Sequence, residues 1–278
     1  MVLIAQTAAD AVAGTADGST VMIGGFGNAG QPMELIDALL ACGARELTIV
    51  NNNAGQGDAG LALLIREGRV RKIVCSFPRQ SDSWHFDSAY RAGTVELELV
   101  PQGNLAERIR AAGAGIGGFL TPTGYGTPLA EGKETRVIDG RGYVMEYPLH
   151  AEVALIKAHR ADRAGNLVYR KTARNFGPVM ATAARRTVVQ VDDVVDVGAL
   201  DPEHVVTPGI FVDTVVWIPA SSVASASDGA SAPASALPSD PAVATERVVV
   251  SSASVRSAGR GSAAVDFLGS DSSQGRNR

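Results

Sequence analysis

The chain has 278 residues, enough for one large domain or two small ones with a sizeable core. Apolar residues make up 45% and charged residues 19%, the balance of a soluble globular protein, and no apolar run is long enough to span a bilayer. A formal net charge of −4 argues against the basic face that general nucleic-acid binding needs.

Cys42 and Cys75 stand far apart in apolar surroundings, which indicates neither a disulfide framework nor a zinc site, and both are expected to be buried and inert. The segment from Met1 to Asp10 has no basic stretch followed by a long apolar one, so it does not read as a signal peptide, and a cytoplasmic protein is expected.

In chain order, residues 6–18 predict a short helix ending at Asp17-Gly18, and 20–24 predict a strand. The stretch Gly24-Gly25-Phe26-Gly27-Asn28-Ala29-Gly30 follows, and Pro32 suits the first turn of the next helix. Leu35, Ile36, Leu39 and Leu40 mark that helix's apolar face and Gly43 ends it. The pattern then repeats. Strands are predicted at 47–50, 70–77 and 95–99, and helices at 58–67, 82–91 and 105–112. The strict alternation of Val95-Glu96-Leu97-Glu98-Leu99 suggests a strand with one solvated face, near a sheet edge.

From 113 to 150 glycine-rich turns dominate, with a hairpin expected between 136–139 and 143–147. Strands near 152–159, 166–170, 187–191 and 210–218 and a helix near 177–185 complete the folded part. Two regions follow: a domain over 1–220, and an Ala/Ser-rich segment, 221–278, whose composition cannot offset its ordering entropy and which reads as a disordered tail.

Strands alternating with helices across short loops predict an α/β fold, an open, mostly parallel sheet with flanking helices. The loops after the strands gather at one edge, where such folds bind ligands. Here they are rich in Gly, Asn and Gln, with a single arginine, Arg79. The glycine stretch is either a plain turn or an anion cradle backed by a helix N-terminus, for which a phosphorylated ligand is the natural occupant. The loop lacks Gly-x-Gly-x-x-Gly spacing and a following acidic residue, which leaves a dinucleotide-dependent oxidoreductase as a distant alternative. No lysine of the phosphate-loop kind follows it.

His85, His150, His159 and His204 show no metal spacing, and no serine sits in a Gly-x-Ser-x-Gly turn. Glu107, Arg108 and Arg110, and the set Arg170, Lys171 and Arg174, are either solvated faces or, if they reach the cleft, partners for phosphates. Arg79 has the shape to grip a carboxylate through two hydrogen bonds.

The run from Asp17 to Phe26 with Gly30 and Pro32 closely resembles the glycine signature of the A (alpha) chains of class I CoA-transferases. Asn51 to Gly55, Leu99 to Gly103, Ala114 to Gly117, Thr121 to Gly124, Ala130 to Lys133, Asp162 to Asn175 and Thr207 to Ile210 resemble blocks of its 3-oxoacid branch, so the likeness covers residues 5–218. Cys75-Ser-Phe-Pro-Arg-Gln80 is most similar to the members that use succinyl-CoA and 3-oxoadipate in aromatic-compound degradation, with the acetoacetate members next.

The resemblance implies a fold related to ribose-phosphate isomerases and a partner, the CoA-transferase B subunit. That partner carries the nucleophilic glutamate in a Ser-Glu-Asn-Gly motif absent from this chain. The likeness also implies a heterodimer or a dimer of heterodimers, and CoA as part of the substrate with no tightly bound cofactor. By the same likeness Gly24, Gly25, Phe26, Gly27, Asn28, Ala29 and Gly30 would hold CoA and amide groups would steady the acyl substrate; Asn53 and Gln102, each ending a strand, are either those amides or loop caps, and the position of Arg79 in its loop suits a substrate carboxylate.

Overall fold

The computed structural model describes residues 2–219; the segment 221–278, expected to be a disordered tail, lies outside the described residues. The chain opens with a short strand that the sequence pattern did not announce, β1 (Leu3–Ala5). The first helix, α1 (Ala8–Val12), is shorter than expected and is capped by Thr7, whose hydroxyl accepts the Asp10 N–H. Then come β2 (Thr20–Ile23), α2 (Met33–Cys42), β3 (Leu47–Val50), α3 (Leu61–Arg66), β4 (Val70–Cys75), α4 (Trp84–Arg91), β5 (Glu96–Leu99) and α5 (Gln102–Gly113).

After α5 the chain builds β6 (Phe119–Thr121), β7 (Thr135–Ile138) and β8 (Arg141–Glu146), which form a separate antiparallel sheet in the order β6-β8-β7. The predicted hairpin is β7–β8, with Arg136 opposite Tyr143. The large sheet resumes with β9 (Ala151–Asp162), β10 (Leu167–Val168), α6 (Gly177–Ala183), β11 (Ala184–Val195) and β12 (Thr214–Trp217).

The large sheet runs β1-β12-β11-β9-β2-β3-β4-β5, parallel throughout, with only the two-residue β10 antiparallel on β9. β5 is the edge strand, as its alternation suggested. β9 and β11 are twelve residues each, about twice the typical strand.

Period-two alternation sorts the strands onto two cores. Val21, Ile23, Leu155 and Ile73 pack with Leu35, Leu39, Leu64 and Phe86 on one face. Met22, Ala154, Ile156 and Val189 pack with Leu105, Ile109 and Met180 on the other. Helices on both faces therefore bury strands that read as continuous apolar runs.

The small sheet is tied to the large one by charge. Glu98 on edge strand β5 takes Lys72 Nζ at 2.6 Å and Arg108 at 2.8 Å. Arg108 also lies 3.9 Å from Glu146, a β8 carboxylate with only 4% of its side chain exposed, and Glu146 takes Lys133 Nζ at 2.7 Å and the Asn104 amide at 3.2 Å. Burial alone would raise the Glu98 pKa, but the hydrogen bonds from Arg108 and Lys72 outweigh it and hold the carboxyl below its ordinary value.

Glu146→Ala would leave Lys133 and the buried Asn104 amide without their shared acceptor and Arg108 without its second carboxylate, and should lower stability by about 3 kcal/mol in a urea melt. Because the folded Glu98 pKa is depressed, its contribution is complete above the unfolded carboxylate pKa of about 4.3 and is lost as pH falls through the lower folded value. Glu98→Gln should therefore destabilise at neutral pH and flatten the acid limb of the stability profile; an unchanged acid limb would remove Glu98 from the account.

Candidate active site

Strand order reverses between β2 and β9. From β2 the chain steps outward through β3, β4 and β5, and from β9 it steps the other way through β11 and β12. Crevices open at such reversal points, outside the carboxyl ends of the strands. The glycine loop leaves β2 there and packs on the segment that follows β10.

Asn175 fastens the two together. Its Oδ1 accepts the Gly25 N–H at 3.1 Å and its Nδ2 donates to the Ala29 carbonyl at 2.9 Å. A side chain at Gly30 (φ +77°) would place Cβ 2.5 Å from the Ala173 carbonyl, and one at Gly25 (φ +126°) would meet the Gln31 side chain at 2.5 Å. These glycines permit close packing. Phe26 and Ala29 pair with each other's backbone, so the N–H groups of Gly25, Phe26 and Ala29 are already bound to protein acceptors and do not form the open anion cradle that a glycine loop suggests.

The next loop carries three successive asparagines, all buried, and each has a different task. Asn51 Nδ2 donates to the Ile23 carbonyl of β2 at 2.7 Å, and its Oδ1 accepts Asn53 N–H. Asn52 Oδ1 accepts Ser76 Oγ at 2.8 Å and Gln102 Nε2 at 2.7 Å, joining the loops after β3 and β4 to the first turn of α5. Asn53 Oδ1 accepts Gly55 N–H, the local turn that asparagine forms readily. Further ties close the rim: Gln56 to Asn28 at 3.0 Å, and Ser83 Oγ, which donates to the Gly55 carbonyl and accepts the Gln80 N–H.

Together these loops surround a cavity of about 440 Å³ lined by Phe26, Gly27, Asn52, Ser76, Phe77, Gln80 and Gln102. Of the residues expected here, Phe26, Gly27 and Gln102 line it, and Gln102 sits in the first turn of α5, three residues before the expected helix start. Asn53 is outside the lining and organises its own turn. Arg79 is also outside, its Nε 2.8 Å from Asp87 on α4 in an ion pair without hydrogen-bond alignment. Asn52 and Ser76, not singled out from the sequence, are central. The signal was available in the Asn51-Asn52-Asn53 run, but which amide faces the cleft depends on the turn.

A slightly larger hollow, about 480 Å³, lies at Val2, Asn166, Ile210 and Asp213, remote from these loops in the lining it draws on. Its polar groups are committed to turns, with Asn166 bonded to Asp162 and Gly209, and Asp213 to Thr187.

Arg170, Lys171 and Arg174 flank Ala173 beside the glycine loop, and no acidic partner reaches them among the described residues. Lys171 holds φ +51°, a conformation uncommon for a residue with a side chain. Arg108, by contrast, serves the inter-sheet network, and Arg110 pairs with Glu107 on the surface. Cys75, at the end of β4 beneath Ser76, is fully buried and its thiol is pushed up to about 12 by desolvation. Cys42, expected to be buried, is exposed at the last turn of α2. Among the described residues no three His, Cys, Asp or Glu side chains are placed to hold a metal, and no helix is long and apolar enough to cross a membrane.

The chain is 67% identical over 224 residues to the A subunit of 3-oxoadipate CoA-transferase from Pseudomonas putida, covering 80% of this chain and 97% of the relative. It is 52% identical over 201 residues to the A subunit of succinyl-CoA:3-ketoacid coenzyme A transferase from Xanthomonas campestris pv. campestris, covering 72% and 82%. Among solved structures it superposes on an acyl-CoA transferase from E. coli O157:H7 with a TM-score of 0.67 at 23% identity. That match covers 78% of this chain and 47% of the other, so the chain spans about half the length of that protein and the likeness speaks to fold alone. The model of the coenzyme A transferase family matches residues 5–217, and the chain belongs to that family.

Proposed function

We propose that this chain is the A subunit of a CoA-transferase that moves CoA from succinyl-CoA to 3-oxoadipate, giving 3-oxoadipyl-CoA and succinate in aromatic-compound degradation. The observation that carries this reading is the 67% identity, across 97% of its length, to a relative named for 3-oxoadipate. The relative named for 3-ketoacids is less similar, at 52%.

In this reading the carboxylate that attacks the thioester belongs to the B subunit, and CoA enters and leaves as part of the substrate. Two features support a half-site. The cavity is open and flanked by Phe26 and Phe77, 50% and 58% exposed, an apolar rim suited to burial under a partner. The relatives named for 3-oxoadipate and for 3-ketoacids are both A subunits. A heterodimer or dimer of heterodimers in the cytoplasm is the proposed setting.

Within the half-site, Gln102 presents its carboxamide to the cavity as a donor to the acyl oxygen on which charge develops. The glycine loop lends shape to the CoA path, while Arg170, Lys171 and Arg174 beside it supply the positive charge for phosphates. Arg79 lies outside the cavity lining, ion-paired with Asp87 through Nε, and in this reading its two terminal amino groups meet, beyond the rim, the distal carboxylate that 3-oxoadipate has and acetoacetate lacks. Asn53 supports the acyl site indirectly, by shaping the turn that carries Asn52.

The test is succinyl transfer to 3-oxoadipate and to acetoacetate, with the chain alone and co-expressed with its B subunit. Activity should appear only in the pair and chiefly with 3-oxoadipate. Chief activity with acetoacetate would overturn the substrate assignment, and activity in the isolated chain would overturn the half-site. In the pair, Gln102→Ala should lower kcat by about 10²-fold, the usual loss for a preorganised donor. Arg79→Ala should erode the preference for 3-oxoadipate while leaving acetoacetate turnover in place; an intact preference would exclude Arg79 from substrate selection.

A further inference from the structure

Asn52 is 4% exposed, yet it is one of the seven residues that line the cavity. The orientation of its carboxamide follows from its neighbours. The Asn52 backbone carbonyl already accepts two N–H bonds, from Ser76 at 3.2 Å and Phe77 at 3.0 Å. With that carbonyl occupied, the Ser76 hydroxyl proton is directed to Asn52 Oδ1, the nearer oxygen at 2.8 Å against 3.2 Å. Gln102 Nε2 donates to the same Oδ1 at 2.7 Å, so both lone pairs of that oxygen are used.

The remaining polar group of Asn52 is its Nδ2. That nitrogen has no hydrogen-bond partner among the described residues, and it is not among the side-chain atoms sealed from solvent without one, which include Asn53 Nδ2. It therefore faces the cavity as a fixed donor. A ligand oxygen that accepts from it takes the place of cavity water on a donor that is already held in position. Since the hydroxyl of Ser76 and the amide of Gln102 hold the group in place, little reorganisation is needed when charge develops on that oxygen.

We propose that Asn52 Nδ2 donates a hydrogen bond to the acyl oxygen of the bound substrate, with Ser76 as the residue that positions it. This rests on the CoA-transferase reading above. It adds a second amide donor beside Gln102 and gives Ser76 a task that no sequence pattern marked.

Asn52→Asp separates the donor from the fold, because a carboxylate keeps both acceptor bonds, from Ser76 and Gln102, and puts a negative oxygen where the N–H was. The A/B pair is assayed with whichever oxo acid the unaltered pair turns over, so an error in the substrate and an error about Asn52 give different results. At neutral pH the variant should lose about 10²-fold in kcat with its melting temperature little changed. As pH falls, protonation of the introduced carboxyl restores an O–H donor, and its activity relative to the unaltered pair should rise. A relative activity that stays flat with pH, or a kcat within twofold at neutral pH, overturns the proposal.

Ser76→Ala and Ser76→Thr provide an independent arm that adds no charge. The alanine variant should lose about tenfold in kcat with the KM for succinyl-CoA within twofold, and the threonine variant should recover most of it. An alanine variant with unchanged kcat, or a loss that threonine does not repair, overturns the positioning role.

Discussion

Between β2 and β9 the course of the chain along the sheet reverses, and the rest of the molecule is arranged around the gap that the reversal leaves. A parallel sheet sends each following loop to the same edge, and neighbouring loops elsewhere along it are close enough to cover one another. At the reversal they diverge. The backbone groups exposed there need partners, and two amides supply them, Asn175 across the glycine loop and Asn51 onto Ile23, polarity that would otherwise be buried unpaired. Asn52 instead ties two side chains together, those of Ser76 and Gln102. The cavity is what remains after those demands are met.

The same logic explains why the glycines and the asparagines are interdependent. Gly30 leaves room for the segment 173–175 to come into contact while Gly25 lets the loop close on Gln31, and only in that arrangement can one Asn175 side chain bind both a donor and an acceptor of the loop. A bulkier residue at either position would move the loop away from its clasp. Farther out, the chain of charges from Lys72 through Glu98, Arg108 and Glu146 to Lys133 connects the edge strand to the small sheet. It substitutes for an apolar seam that the exposed strand β7 does not offer.

Much of this was legible in the residues. Alternation and apolar runs located the strands that line the sheet, because burial on both faces forces that composition. β1 escaped notice because three residues carry no period, and the long β9 and β11 were underestimated because their polar ends still hydrogen-bond in the ladder. At the site, the glycine loop and Gln102 could be picked out, whereas Asn52 and Asn53 could not be told apart. Adjacent side chains in a turn point in directions set by backbone angles, and those angles depend on Ser76 and Gln102, 24 and 50 residues away. Arg79 was visible as a lone cation, but its pairing with Asp87 required knowing that α4 folds back beside its loop.

Cys75 lies one residue from the hydroxyl that holds the Asn52 amide, in a family whose substrates are thioesters. A free thiolate at that distance would be a rival acceptor, since sulfur exchanges acyl groups with sulfur readily. Burial pushes its thiol up to about 12, so Cys75 stays protonated at neutral pH, and strand alternation turns its sulfur into the apolar core while Ser76 faces the cavity. The register of β4 thus acts as an insulator: shifting that strand by one residue would trade a harmless hydroxyl for a nucleophile that could capture the acyl group and stop the exchange.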